Sequence, residues 1–213
     1  MRFKNVVWDW NGTLLDDMSY CLALTNRLLT ARGLAPLKGL DEYRERFFFP
    51  VKKYYASLGI GPDQFTEAAN IWMDAYMADE TVCPLQPGAA EVTGRLRDLK
   101  IRQVIISASK QEHLVRQLDS RPCIRDCCPC YGIGDIFAKE KQTLALQVLE
   151  HLSWSRSDTV FIGDTLHDAE VASAAGCAGP LVAASCGSAD AWAASSSSIL
   201  AITSSFLSFA VLP

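Results

Sequence analysis

The sequence predicts an α/β fold, a doubly wound parallel sheet interrupted near its start by an all-helical insertion, and three observations predict it. A β-branched and aromatic run over residues 3–8 stops at Asp9 and the turn Asn11-Gly12-Thr13, the pattern of a buried strand feeding a loop. Residues 18–83 then carry helical patterns only. After Pro84 and Pro87-Gly88 the pattern becomes helix, strand, helix, strand, as in parallel sheets with crossover helices.

Taken in order, the strand over 3–8 is followed by Asp17, a helix N-cap type of residue, and by Tyr20, Leu24, Leu28 and Leu29 at helical spacing with Gly33 as the stop. Residues 43–49, 51–58 and 65–77 form short amphipathic pieces punctuated by Pro36, Pro50, Gly59, Gly61 and Pro62. Residues 89–99 read as a helix, 102–106 as a strand ending in Ser107-Ala108-Ser109, and 111–118 as a helix, before an irregular stretch. Residues 139–152 are helical. A strand over 159–162 ends at Gly163-Asp164, a helix over 167–175 stops at Gly176, and 181–184 form a short strand. The expected organisation is a core of residues 1–17 and 86–213 with a helical cap over 18–85.

A length of 213 residues corresponds to one full domain with a smaller appendage, at about 100–200 residues per domain. Hydrophobic residues make up 49% and charged residues 21%, which excludes disordered, collagen-like and coiled-coil classes. The balance of 20 Lys and Arg against 24 Asp and Glu lacks the basic face that a nucleic-acid binder needs. The first residues do not read as a signal peptide, so the eight cysteines are expected as thiols in a reducing, cytoplasmic setting. Residues 199–212 are apolar but too short and serine-broken for a membrane span; a buried final strand or a poorly ordered tail both fit. Ser195 to Ser198 is a small low-complexity patch.

Three predicted strands end in polar residues: Asp9 with Asn11, Ser107, and Asp164 with Asp168. Ligands of open doubly wound sheets bind outside the carboxyl ends of the strands, so these groups are expected to converge. Carboxylates without histidine or cysteine ligands beside them favour a hard cation, most simply magnesium. Asp164 and Asp168 stand one turn apart at a helix entrance, where a cation relieves their repulsion.

These residues resemble the motifs of the haloacid dehalogenase superfamily, and within it the phosphoglycolate phosphatase-like phosphatases. The run Asp9-Trp10-Asn11-Gly12-Thr13-Leu14-Leu15-Asp16-Asp17 is similar to the first motif, Ile105-Ile106-Ser107 to the second, Phe137-Ala138-Lys139-Glu140-Lys141 to the stretch carrying the motif lysine, and Gly163-Asp164-Thr165-Leu166-His167-Asp168 to the acidic fourth motif. The resemblance implies a Rossmann-like core with a cap that shapes the leaving-group pocket. It further implies that Asp9 is the nucleophile forming an aspartyl-phosphate, that Ser107 and Lys141 bind the phosphoryl group with the backbone around Gly12 and Thr13, and that magnesium is held by Asp9, the Asn11 carbonyl, Asp164 and Asp168. The substrate is then a small phosphorylated metabolite. Register favours Lys141 over Lys139 as the motif lysine.

One residue departs from the pattern. The family's phosphatases carry an acid/base aspartate where this chain has Asn11, which donates a hydrogen bond but transfers no proton, an effect worth about 10²–10⁴-fold in rate. Within the enzyme reading His167, beside the acidic pair, is the candidate substitute proton carrier, its ordinary reading being a solvent-facing ring; a catalytically weakened phospho-ligand binding protein is the competing reading. A metal-free dehalogenase is disfavoured by Asp164 and Asp168. A phosphonate hydrolase would need a cap lysine, Lys52 or Lys53, to form a Schiff base, although a solvated helix face explains both. Cys123, Cys127, Cys128 and Cys130 are too crowded for paired zinc knuckles and read as a loop of thiols. Trp8 and Trp10 read as packing residues, and Trp72 as either a cap-core residue or part of the substrate entrance.

Overall fold

In the computed structural model, which describes residues 3–79, 81–134 and 141–186, strand β1 (Asn5–Trp8) is buried along its whole length. It is the middle of a five-stranded sheet of order β3-β2-β1-β4-β5, with β2 (Arg102–Lys110), β3 (Cys130–Ile133), β4 (Thr159–Thr165) and β5 (Ala178–Cys186). Every pairing is parallel. Trp8 is in register with Ile105 of β2 and Ile162 of β4, so Asp9, Ser107 and Asp164 arrive at the carboxyl ends of three adjacent strands.

Alternation along these strands explains why both faces are covered. Val6, Trp8, Ile105, Val160 and Ile162 pack with Leu96 of helix α5 (Ala89–Asp98) and Leu114 and Leu118 of α6 (Gln111–Asp119). Val7, Val104, Ile106 and Phe161 point the other way, onto Ala145 and Leu149 of α8 (Lys141–His151) and Val171 and Ala172 of α9 (Leu166–Ala174). Period-2 strands between helices on both sides make a doubly wound sheet. Trp8 and Trp10 are fully buried packing residues, and their indole N–H groups donate to Gln103 at 3.1 Å and Gln117 at 2.9 Å, as buried polar groups require.

Helices α1 (Met18–Ala31), α2 (Leu40–Arg46), α3 (Val51–Ser57) and α4 (Phe65–Tyr76) build a separate apolar cluster around Leu28, Leu29, Tyr43, Tyr54, Ile60 and Phe65. The chain enters and leaves this helical unit through two adjacent segments: Leu15 bridges Leu85 antiparallel, Asp16 N donates to Pro84 O at 2.8 Å, and Gln86 N to Leu14 O at 2.9 Å.

Several boundaries differ from expectation. β2 continues through Ser107 to Lys110, β4 reaches Thr165 and β5 begins at Ala178, because parallel partners extend the ladders beyond the apolar runs. Residues 47–49 lie outside α2, which ends before Pro50, a residue whose predecessor avoids helical geometry. The irregular stretch contains a short helix, α7 (Pro122–Arg125), and the edge strand β3. Its cysteines are free thiols, with Cys128 buried in the core under the sheet. Lys139, the start expected for α8, and the tail with Ser195 to Ser198 lie outside the described residues. Among the described residues no helix is long and apolar enough to cross a membrane.

Candidate active site

The loop after β1 turns at Gly12, whose φ of +74° lies in the left-handed region that glycine tolerates. A Cβ at this position would fall on the Asp164 carboxylate, and one at Gly163 would fall on the Asp168 side chain. Glycine at both positions therefore lets two backbones approach two carboxylates. Thr13, fully buried, donates from Oγ1 to Asp164 Oδ1 at 3.1 Å.

Asp9, Asp164 and Asp168 bring one carboxylate oxygen each to within 4.8 Å of one another. Lys141, at the start of α8, joins two of them: Nζ donates to Asp9 Oδ1 and to Asp168 Oδ1 at 2.6 Å. Thr165 caps α9 reciprocally with Asp168, and its hydroxyl donates to Asp168 Oδ2 at 2.6 Å. Burial pushes the Asp9 carboxyl up, to about 7, against the downward pull of Lys141, and Asp168 adds to the rise. Burial also opposes ionisation of Asp168, but Lys141 and the Thr165 donors outweigh it and hold that carboxyl below its ordinary value. For Lys141 the penalty of burial is overcome by Asp168 and Asp9, which keep it charged. Three carboxylates this close together, two of them on one buried ammonium, could hold a hard divalent cation.

Ser107 is buried and, like Asn11, lines the same cavity. The Asn11 side-chain oxygen accepts from Ser109 Oγ at 2.7 Å and from Ser107 Oγ at 3.4 Å. Its Nδ2 donates to Asp17 Oδ2 at 2.7 Å and to Tyr76 Oη at 2.8 Å. Tyr76 in turn donates to Asp17 Oδ2 at 2.6 Å, and Gly12 N to Asp17 Oδ1 at 3.0 Å. Burial raises Asp17 while these donors hold it down, with a net rise. The amide of Asn11 is thus held in one orientation, through its oxygen by the two serines and through its nitrogen by Asp17 and Tyr76.

Thr13 is not among the residues lining the cavity; its hydroxyl holds Asp164. The Gly12 amide, which borders the cavity, is engaged by Asp17. Asp17 occupies the N-cap position of α1 but makes no side-chain cap, because its carboxylate serves the first loop instead. Asp17 and Tyr76 are site residues the sequence reading missed: the first reads as a cap and the second as helix core, and the only signal was a second acid after Asp16.

His167 faces the cavity. Its ring lies 4.7 Å from that of Phe49, Nδ1 is 3.3 Å from Glu170 Oε2, and Nε2 is buried without a partner among the described residues. Lys52 and Lys53 are exposed and do not line the cavity, so the geometry gives no support to a cap Schiff base. Trp72 packs against the apolar cluster of the helical unit and lines the cavity.

Comparison with known proteins matches these features. A family model described as haloacid dehalogenase-like hydrolase covers residues 3–176. A phosphoglycolate phosphatase of Chromobacterium violaceum is 30% identical over 207 residues, covering 89% of this chain and 88% of its own length. A haloacid dehalogenase-like hydrolase of Streptococcus pneumoniae superposes with a TM-score of 0.77 at 18% identity, over 90% of each chain. CbbY of Rhodobacter sphaeroides, solved in complex with phosphate, does so with a TM-score of 0.63 at 18% identity, over 82% of this chain and 84% of that one. With the family model spanning most of its length and both core and site in place, the chain belongs to the haloacid dehalogenase-like hydrolases.

Proposed function

We propose that the protein is a magnesium-dependent phosphatase that hydrolyses a small phosphorylated metabolite through an aspartyl-phosphate on Asp9. The observation that carries this reading is the contact of Lys141 with both Asp9 and Asp168 beside Asp164. It presents one carboxylate as a nucleophile and leaves two more to hold a cation.

Asp9, Asp164 and Asp168 would hold magnesium, together with the Asn11 carbonyl; when bound, the ion shields the negative charge of the phosphoryl group from the nucleophile. Lys141 neutralises a phosphoryl oxygen, orients Asp9 and works against the burial that raises its pKa, and Ser107 donates to a second oxygen. Phosphoryl transfer needs chiefly such positioning and charge stabilisation. Gly12 and Thr13 act by shaping the loop and holding Asp164. The helical unit over 18–85 is the cap, the core being 1–17 and 86–213, and it excludes water from the reacting centre.

Asn11 supplies no proton, so esters of poorly acidic alcohols turn over slowly. A phospho-ligand binding protein is the second reading, favoured by the way Asn11 is locked between Ser109 and Asp17. A magnesium-dependent phosphatase assay on wild type and Asp9→Asn decides between them. EDTA-sensitive turnover lost in the variant supports the enzyme; tight phosphate-ester binding with no turnover supports the binder.

A further inference from the structure

The cavity over Asp9 has a volume of about 220 Å³ and continues from the carboxylates into the cap. Its cap end is lined by Tyr43, Phe49, Tyr54, Phe65, Trp72 and Met73. The aromatic rings are held against each other: Tyr43 meets Tyr54 edge-on at 6.3 Å, and Trp72 stacks on Tyr76 at 5.1 Å and 12°.

Charge is distributed unevenly along this cavity. Among the described residues the one permanently cationic side chain lining it is Lys141, already engaged by Asp9 and Asp168. Two histidines also line it: burial, with Lys110 beside it, depresses the pKa of His113 and favours its neutral ring, and His167 stands against Phe49 with its Nδ1 at Glu170. Of the acidic residues lining the cavity, Asp17 is the one bonded to a residue of the helical insertion, Tyr76. A carboxylate or second phosphate on the leaving group would therefore be buried among aromatic rings with no permanent cation beyond Lys141 to meet it, which is costly. A neutral apolar group would instead replace water against those rings. Apolar cavities of about 150 Å³ hold a benzene molecule, so this one has room for a ring beside the phosphoryl group.

We infer that the substrate is the phosphate monoester of an uncharged, apolar or aromatic alcohol, and that the cap excludes leaving groups carrying a second negative charge. This rests on the phosphatase reading of the same site.

Benzyl phosphate and 2-phosphoglycolate, esters of two alcohols of similar acidity, separate the alternatives on the unaltered protein with saturating magnesium. Benzyl phosphate is expected to show a kcat/KM about 10–100-fold higher, with the difference in KM. Met73→Arg, a change at a half-buried lining position, is expected to narrow or reverse that preference. A wild-type preference for 2-phosphoglycolate overturns the inference while leaving the phosphatase reading intact. Calorimetric titration with benzylphosphonate and phosphonoacetate gives the same ordering without turnover. Tighter binding of benzylphosphonate with no hydrolysis of either ester sustains the cavity assignment and removes the phosphatase reading; tighter binding of phosphonoacetate overturns the cavity assignment.

Discussion

Asp17 Oδ2 accepts the Asn11 amide at 2.7 Å, so Asn11 is matched to a carboxylate six positions later. An amide donates to a buried carboxylate where a second carboxylate would repel it. The two positions form one unit, completed by Tyr76 from the cap.

Asn11→Asp alone sets two carboxyl groups against each other in a buried site, and they are expected to share a proton. The variant should lose about 1–3 kcal/mol of stability at neutral pH, regain part of it in acid, and gain little rate. Exchanging the pair, Asn11→Asp with Asp17→Asn, restores donor against acceptor, since the amide introduced by the second change would donate to the carboxylate introduced by the first and accept from Gly12. Urea denaturation should show the double variant recovering most of the loss. Turnover of alkyl phosphates should rise toward the about 10²-fold that an acid/base group supplies.

Lys141→Met leaves Asp9 and Asp168 buried without their shared cation. Breaking a buried ion pair from one side costs about 3–5 kcal/mol, and metal-free protein should show that loss in denaturation. Magnesium should recover part of it by occupying the same carboxylates, while activity stays lost. Lys141→Arg should not rescue, because a planar fork does not fit the space of one ammonium between two carboxylates.

The pH dependence of magnesium binding follows from Asp9, raised to about 7 by burial. Below that value the folded protein holds a proton there that the metal must displace, so affinity rises with pH and levels off above it. The slope should approach about tenfold in Kd per pH unit as one proton is released. Calorimetry in buffers of different ionisation enthalpy counts that proton, and Asp9→Asn should flatten the slope. A pH-independent Kd between pH 5.5 and 7 (roughly the window set by that proton) would contradict it.

Gly12→Ala adds a Cβ that meets the Asp164 carboxylate at a backbone conformation costing about 1–2 kcal/mol for other residues. The expected result is a less stable protein with weakened magnesium binding, whereas Gly94→Ala, a helical position with open space at the Cβ, should be neutral or slightly stabilising.

Much of this arrangement was legible in the sequence because buried parallel strands read as unbroken β-branched runs and their polar ends stand out. Asp9, Ser107 and Asp164 could be placed at strand ends without coordinates, and the parallel sheet follows from the helix and strand alternation. β3 was not legible: Cys130-Tyr131-Gly132-Ile133 is a four-residue edge strand with no alternation, and it forms because β2 offers a ladder to it. Asp17 was hidden for a different reason. A helix-start aspartate has an ordinary use as a cap, and only the fold shows its carboxylate turned toward Asn11 and toward Tyr76, 59 residues further on. Cavity chemistry was hidden likewise, since Phe65, Trp72 and Met73 follow the same helical period whether they pack a core or line a pocket.

The most direct test of the central claim is to stop magnesium-supported hydrolysis of benzyl phosphate by acid quenching and locate any covalent phosphoryl group by peptide mass spectrometry. A hydroxylamine-sensitive adduct on Asp9, absent from Asp9→Asn, is the predicted result. Turnover without that adduct, retained in Asp9→Asn, would contradict the account.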